Sequence, residues 1–282
     1  MTGRLLIVNA DDYGLTPGVS RGILRAHREG IVTSTSVLAL APAFNSTAAW
    51  LGDVPSLGVG VHLAAVGEDP PLLSAAEVPT LVDGRGHLAS SWRQFLPRAA
   101  ARRIDPDDLA REFAAQAEAA AGAGLVVGHL DTHQHLHLWP LVRGVVLDLA
   151  QRLGVGMRVT RSAARSQVGV TVRQLARNLA GEARVRGIAF PEASVGLDEA
   201  GALDQAALVG ALGRLAASGA SSAEVGSHPG DGDDPDRRRY RWAYRWEEEL
   251  AALTSPAARR SVDQGGFVLG TYADLLTAGH PS

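Results

Sequence analysis

The most informative absence in this 282-residue sequence is cysteine, which does not occur. A chain without cysteine forms no disulfide, offers no thiolate to a metal ion and has no cysteine nucleophile. Any metal ion must therefore be bound through histidine and carboxylate side chains. Lysine is absent too, so all 27 basic residues are arginine, and a phosphate-binding loop of the Walker type is excluded because it needs a lysine.

Positive charge and long apolar runs are also scarce. The formal net charge is −3 and the isoelectric point is about 6.3, so no overall positive field favours a nucleic acid or an anionic membrane. No apolar run reaches about 18 residues, and no membrane span is expected. A strand-like run begins at Arg4, which leaves no room for a signal sequence and predicts a cytoplasmic location. The sequence leaves the oligomeric state open, with a homodimer among the options.

The remaining sequence alternates between strand-like and helical patterns. The run from Arg4 to Ala10 is almost continuously apolar, as in a strand buried on both faces of a parallel sheet. Further strands are expected near 33–40, 57–63, 124–131, 155–160, 186–190, 223–228 and 266–270. This alternation predicts an α/β fold, a distorted parallel β/α barrel, as a single domain over residues 1–282.

Helix boundary signals support this alternation. Thr16 followed by Pro17 predicts an N-cap and a first helical residue, with Gly30 beyond the end of the same helix. A second helix is predicted over Pro140–Leu153, with Gly154 as its C-cap. Apart from the strand expected near 186–190, the segment 161–198 shows no clear strand or helix pattern, so the sequence predicts no secondary structure for the rest of it.

Two acidic residues and a histidine stand at predicted strand ends. Asp11 and Asp12 follow the first strand, where paired carboxylates can divide metal binding and proton transfer between them. Capping or turn formation is the alternative for such a pair. His62 ends the apolar run 57–61, where it is either a metal ligand or a buried hydrogen-bonding group.

The strongest single signal is a histidine-rich segment, His129–His137, which holds four histidines and an aspartate in nine residues. In an extended segment, alternate side chains share a face at intervals of about 6.6 Å, too far apart for one ion. One or two of them are therefore expected as ligands, with the others orienting ligands or binding substrate. A helical turn over 133–137 would instead let His133 and His137 face the same ion. Whether His135 or His137 joins the ligands stays open.

A last histidine, His228, follows the predicted strand 223–228 in the tetrapeptide Ser227–Gly230. The carboxyl ends of the strands converge on the catalytic face of a β/α barrel. We therefore expect Asp11, Asp12, His62, His133 and His228 to lie close together.

Five motifs together resemble the YdjC-like (ChbG/HpnK) carbohydrate deacetylases, from the first predicted strand to the last. They are Asn9–Gly14, Gly30–Thr35, Gly60–Leu63, His129–His133 and Leu269–Tyr272. The resemblance implies a distorted β/α barrel that binds one divalent metal ion, Mg²⁺ or Zn²⁺. It also implies hydrolysis of the acetamide of an N-acetylated sugar, such as a chitooligosaccharide or glycolipid-linked N-acetylglucosamine, with release of acetate.

The resemblance also implies roles for single residues. Asp12, His62 and His133 would hold the ion, and Asp11 would be the general base. His228 would be the general acid. Arg158 and Arg161 lie in a run similar to the family's arginine-bearing strand, and one of them would orient Asp11.

Other functions stay open. A metal-dependent hydrolase of another bond, such as a phosphoester, would need more positive charge, and a non-catalytic sugar-binding barrel would leave the Asp/His set without a purpose. The segment 237–246 alternates arginines with aromatic residues. It is read as a solvated loop, as a lid whose Trp242 or Trp246 contacts a sugar, or as a single-strand nucleic-acid groove, which the acidic balance disfavours.

Overall fold

The computed structural model describes residues 3–278, which contain eight β-strands. The strands are β1 (Arg4–Tyr13), β2 (Ser34–Val37), β3 (Gly58–Leu63), β4 (Val127–Thr132), β5 (Gly156–Met157), β6 (Ala193–Val195), β7 (Ser222–Ser227) and β8 (Phe267–Leu269). All of their pairings are parallel. Parallel strands need crossover connections, and helices provide most of them.

The strands form one curled sheet in the order β5-β4-β3-β2-β1-β7-β6, and β8 pairs with the start of β1. The two edge strands of this path, β5 and β6, do not pair with each other. The sheet is therefore a half-barrel, which confirms the predicted α/β fold with a distorted parallel barrel. The strand β1 is central: its residues Leu6, Ile7 and Val8 have no solvent exposure, as the apolar run predicts.

Ten α-helices lie in the described residues. They are α1 (Pro17–Glu29), α2 (Phe44–Thr47), α3 (Trp92–Ala100), α4 (Pro106–Gly122), α5 (Pro140–Leu153), α6 (Gln167–Val185), α7 (Gln205–Ser218), α8 (Trp246–Leu253), α9 (Pro256–Gln264) and α10 (Tyr272–Ala278). Short 3₁₀ segments cover Ala48–Asp53, His133–Leu138 and Pro235–Arg239. None of the helices in this part of the chain has the length and apolar character to cross a membrane.

The predicted boundaries of α1 and α5 are confirmed. Thr16 caps α1 by accepting a hydrogen bond from the Val19 backbone N–H, and Pro17 is the first helical residue. The helix α5 spans Pro140–Leu153, and Gly154 follows it with a φ of 66°. Glycine adopts this left-handed conformation without the steric cost that a side chain adds.

One predicted strand, at 186–190, is wrong. The helix α6 extends to Val185, Gly187 then turns the chain with a φ of 68°, and residues 188–190 form a connection. The Ala189 carbonyl accepts a hydrogen bond from the Met157 backbone N–H at 2.9 Å, so this connection lies alongside β5 without joining the sheet as a strand. The strand of this region is β6, at 193–195. Ile188 is buried. A short apolar run such as this one occurs in buried connections as well as in buried strands, so the sequence alone does not distinguish them.

Candidate active site

The candidate site lies at the carboxyl ends of β1, β3, β4 and β7. Asp11 and Asp12 end β1, His62 lies near the end of β3, His133 follows β4, and His228 follows β7. The structure brings these five side chains together, as the convergence of parallel strands predicts. All five residues are buried, with exposed fractions between 1% and 7%.

An irregularity in β1 directs the two aspartates. The pairing register between β1 and β2 shifts between Ala10 and Tyr13, and Asp12 has a φ of 69°. Aspartate tolerates this left-handed conformation better than most residues. The bulge allows two consecutive carboxylates to serve the same cavity, because a regular strand would send them to opposite faces.

Asp12, His62 and His133 form a set of ligand atoms suited to one metal ion. The Asp12 Oδ1 atom lies 3.6 Å from His62 Nε2 and 3.6 Å from His133 Nδ1. Ligand atoms about 2 Å from a tetrahedral ion are separated by about 3.3 Å. Asp12 Oδ1 is also buried without a hydrogen-bond partner among the described residues. Such an orphaned acceptor is costly unless a cation satisfies it, so these residues fit a divalent ion.

His62 is oriented by a carboxylate behind it. Its Nδ1 atom lies 2.8 Å from Asp131 Oδ1, which leaves Nε2 facing Asp12. This carboxylate–histidine arrangement is the usual support of a metal-binding imidazole. Burial opposes protonation of His62, but the charges of Asp131 and Asp11 raise its pKa to about 9. An ion that binds here must therefore displace a proton.

A second possible ligand set, formed by Asp11, His62 and Asp131, is less suited to an ion. The Arg158 guanidinium bridges its two carboxylates, with Nη1 lying 2.7 Å from Asp11 Oδ2 and 2.6 Å from Asp131 Oδ2. A cation in this set would meet that positive charge directly. The Asp12 set is therefore the better candidate.

Asp11 is held as an ionised carboxylate. Arg158 binds it through two parallel hydrogen bonds of 2.7 Å, and Asn9 Nδ2 donates a further one of 2.7 Å. Burial favours the neutral acid, but Arg158 and His62 hold the pKa of Asp11 well below its usual range. The carboxylate is thus charged and fixed in orientation at neutral pH.

Of the two arginines predicted to orient Asp11, Arg158 makes the contact. Its Nε atom also donates to Glu224 Oε1 at 2.9 Å, so three carboxylates surround one buried guanidinium. Arg161 lies outside this arrangement: its backbone N–H donates to Ser194 Oγ at 3.0 Å, and no contact with Asp11 occurs among the described residues.

His228 faces Asp11 from β7. Its Nε2 atom is 3.8 Å from Asp11 Oδ2, and its backbone N–H donates to Glu249 Oε2 at 2.6 Å. Glu249 is completely buried in α8, and burial raises its pKa although His228 lowers it. One polar atom of a bound ligand can therefore lie within hydrogen-bonding distance of both His228 and Asp11.

The remaining histidines of His129–His137 have other partners. His137 Nδ1 contacts Thr132 Oγ1 at 2.8 Å, His135 Nδ1 contacts Thr160 Oγ1 at 3.1 Å, and His129 stacks on Tyr272 at 3.9 Å. Burial lowers the pKa of His129 to about 4 and that of His137 to about 3. Within the segment, His133 alone belongs to the candidate ligand set.

The backbone of this segment matches neither geometry considered from the sequence. It is a 3₁₀ segment, His133–Leu138, interrupted by left-handed conformations at Gln134 and His135, both with a φ of 54°. Consecutive left-handed residues without glycine carry no sequence signal that distinguishes them. They turn the chain sharply after His133, so His137 turns to Thr132, whereas His135 lines the pocket beside Asp11 and His228 without joining the ligand set.

Asp131 belongs to the histidine-rich segment, whose remaining members were expected to orient ligands, but the other residues that support the site were not identified from the sequence. Asp131 orients His62, Glu224 binds Arg158, and Ser36 Oγ donates to Asp131 Oδ2 at 3.0 Å. Glu224 carried a usable signal, because a charged residue between Ala223 and Val225 is unusual in a buried strand. Ser36 and Glu249 carried none, since their roles depend on contacts made only after folding.

The segment Tyr240–Trp246, here called the aromatic segment, lies against the site. It has an aromatic residue at every second position, and the Trp242 ring centroid lies 5.1 Å from that of His133. The Tyr244 ring lies 4.7 Å from His228. Trp246 is buried at the start of α8, whereas Trp242 and Tyr244 are partly exposed.

Fold and site together define a class: a parallel β/α half-barrel whose buried Asp/His/His cluster is equipped to bind a divalent ion. The chain belongs to the family described as YdjC-like protein, whose profile matches residues 5–264. This confirms the family inferred from the sequence motifs.

Two relatives span almost the whole chain. A chitooligosaccharide deacetylase of Proteus mirabilis (strain HI4320) is 30% identical over 273 residues, which cover 96% of this chain and 99% of the relative. A carbohydrate deacetylase of Geobacillus stearothermophilus is 31% identical over 272 residues, covering 96% and 98%. A crystal structure from Enterococcus faecalis V583, with the provisional name cellobiose-phosphate cleavage protein, superposes with a TM-score of 0.81 at 26% identity, covering 97% of this chain and 99% of that one.

Proposed function

We propose that this protein is a metal-dependent hydrolase that removes the acetyl group from an N-acetylated amino sugar and releases acetate. The substrate class is a chitooligosaccharide or a glycolipid-linked N-acetylglucosamine. The observation that carries the proposal is the orphaned Asp12 Oδ1 atom, on which His62 and His133 converge beside the ionised Asp11. The names of the two full-length relatives support the choice of substrate.

The donor set also favours one ion over another. Two imidazoles and a carboxylate suit Zn²⁺ better than Mg²⁺, which prefers oxygen ligands. When bound, a divalent ion polarises the amide carbonyl and lowers the pKa of a water molecule. Asp12, His62 and His133 would hold it.

Asp11 is suited to accept a proton from the attacking water. Arg158 and Asn9 fix the orientation of its carboxylate and keep it ionised at neutral pH. The same contacts lower the pKa of Asp11 and so make it a weaker base. How strongly they do so depends on the other carboxylates that bind Arg158. Asp131 and Glu224 share the guanidinium and limit how strongly it withdraws charge from Asp11.

His228 is suited to protonate the departing amine. An amine leaves poorly as an anion, and an imidazolium can give it a proton at neutral pH. His228 Nε2 lies 3.8 Å from Asp11 Oδ2, so acid and base flank the same small space. Glu249 Oε2 accepts a hydrogen bond from the His228 backbone N–H, which fixes the backbone that carries the ring.

Phosphoester hydrolysis is the second candidate, because the structural relative from E. faecalis carries a sugar-phosphate name. The charges here disfavour it. Arg158, the cation nearest the aspartates, is already matched by Asp11, Asp131 and Glu224. A phosphate dianion would therefore gain little from Arg158 and would depend on the bound ion for charge neutralisation.

The test is a substrate panel. Metal-loaded protein is incubated with N-acetylglucosamine, its oligomers, glycolipid-linked N-acetylglucosamine and cellobiose phosphate, and both acetate and inorganic phosphate are measured. We expect acetate from at least one acetylated sugar and no phosphate. Phosphate release without acetate would establish the second candidate, and sugar binding without either product would indicate a non-catalytic barrel. A cytoplasmic location and a homodimer stay predictions.

A further inference from the structure

We propose that Trp242 is a sugar-binding residue that contacts the pyranose ring of the substrate and determines the site's preference for a sugar-linked acetamide. The inference rests on the proposed function and adds to it a residue that recognises the sugar rather than its acetyl group. It depends on where the aromatic segment lies, how it is anchored and which of its rings remain accessible.

The aromatic segment spans the site from one catalytic end to the other. Trp242 lies 5.1 Å from His133, a candidate metal ligand, and Tyr244 lies 4.7 Å from His228, the candidate acid, in both cases between ring centroids. An acetamide that reaches both His133 and His228 must lie between them. Such a ligand lies beside Trp242 and Tyr244, the rings next to those two histidines.

The segment is anchored to the loop that follows β3, the strand of His62. Trp242 Nε1 donates to Glu68 Oε1 at 3.0 Å, and the Tyr240 hydroxyl donates to Asp69 Oδ2 at 2.9 Å. Asp69 and Tyr240 are both buried. The indole of Trp242 is thus fixed by a hydrogen bond at its edge and by an anchored neighbour.

The other end of the segment is fixed as well. Tyr244 packs so closely on Gly201 that a Cβ atom there would lie 2.1 Å from Tyr244 Cδ1. The Arg245 backbone N–H donates to the Gly201 carbonyl at 2.9 Å. Anchored at both ends, the rings are organised before a ligand binds, which reduces the entropy cost of binding.

The indole of Trp242 is suited to contact a pyranose ring. The indole stacks on Trp246 with 6.0 Å between centroids and packs against the core, yet it stays partly exposed, whereas Trp246 is 6% exposed. One face of a pyranose is lined by C–H groups, and an indole offers a flat apolar surface to it. The Asp and His side chains of the site offer no such surface, and the partly exposed rings of Trp242 and Tyr244 supply it.

The test compares Trp242→Ala and Trp242→Phe with Trp50→Phe. Trp50 is a matched control because it is also partly buried but lies in the 3₁₀ segment Ala48–Asp53, whose residues line a cavity with Gly58 and Gly128 at the amino ends of the strands. Acetate release from di-N-acetylchitobiose gives KM and kcat for the metal-loaded enzymes. Calorimetric titration of the same sugar in an Asp11→Asn background gives Kd.

Trp242→Ala is expected to raise KM and Kd about tenfold, because stacking and apolar contact with one ring are lost. The kcat is expected to change less than about threefold. Trp242→Phe should recover most of the affinity, and Trp50→Phe should match its parent. A structural role predicts a lower melting temperature with unchanged Kd, and that result would overturn the proposal.

A fluorescence measurement covers the case in which Trp242→Ala does not fold. The sugar should change the tryptophan emission of the parent, and Trp242→Phe should abolish most of that change. An undiminished change in Trp242→Phe would overturn the proposal. Failure of the proposed function looks different: binding that depends on Trp242 without acetate release refutes the deacetylase, whereas acetate release that is indifferent to Trp242 refutes only the sugar contact.

Discussion

Replacing Asp11 with asparagine separates proton transfer from metal binding and from folding. Asparagine keeps the size of the side chain and one oxygen for Arg158 and Asn9, but it cannot accept a proton at neutral pH. Loss of a general base lowers turnover by about 10² to 10⁴, or about 3 to 5 kcal/mol in the barrier. We therefore expect kcat to fall by that factor while metal content stays normal, since Asp12, His62 and His133 are intact.

The structural cost of the same change is smaller. The amide NH2 that replaces one carboxylate oxygen cannot accept from Arg158, so one charge-assisted hydrogen bond is lost, worth about 1.5 to 3 kcal/mol. Repulsion between Asp11 and Asp131, which opposes the lowering of the Asp131 pKa by Arg158 and His62, is relieved at the same time. Arg158 also retains Asp131 and Glu224 as partners. The variant should fold and melt only slightly earlier than the parent.

The assay measures kcat at saturating metal, metal content by elemental analysis and the melting temperature. The matched control is Glu224→Gln, which removes another carboxylate from Arg158 but leaves the Asp11 carboxylate and the His228 ring unchanged. It should retain far more activity than Asp11→Asn. If Asp11→Asn keeps near-native kcat at saturating metal, Asp11 is not the base.

Three further predictions concern the ion and the acid. His62→Ala should lose the bound ion, since Asp12 and His133 alone form a weak site, and elemental analysis that finds undiminished metal would contradict the ligand assignment. Metal affinity should rise with pH and level off above about pH 9, because His62 is protonated below that value in the metal-free protein and must be neutral as a ligand. Calorimetry in buffers of different ionisation enthalpy should detect the released proton, and its absence near neutral pH would refute the account of His62. His228→Ala should lower kcat by about a hundredfold to ten-thousandfold with normal metal content, and much less for a substrate whose leaving amine is already activated. Equal loss on both substrates would remove the acid assignment.

The strand-end residues of the site were predictable from the sequence for one physical reason. Parallel strands in a β/α fold all point their carboxyl ends to the same side. Placing Asp12, His62 and His228 after apolar runs was therefore sufficient to predict that they meet. The α1 boundary was predictable for a similar local reason, because the Thr16 cap and Pro17 act within one turn.

Long-range partners were not predictable in the same way. The motif resemblance offered Arg158 and Arg161 equally, and only the curvature of the sheet brings Arg158 between Asp11, Asp131 and Glu224. The fate of His135 and His137 depended on two left-handed residues that no propensity indicates. The extent of the single domain, residues 1–282, stays a prediction.

The central claim is that one ion at Asp12, His62 and His133 supports removal of an acetyl group from a sugar. The most direct test titrates Zn²⁺ into chelator-treated protein while acetate release from N-acetylglucosamine oligomers is measured. Activity should rise in proportion to added ion and stop rising at one equivalent per chain. His62→Ala should show no such rise. Full acetate release by the metal-free protein, or an equal response of His62→Ala to the ion, would contradict the account.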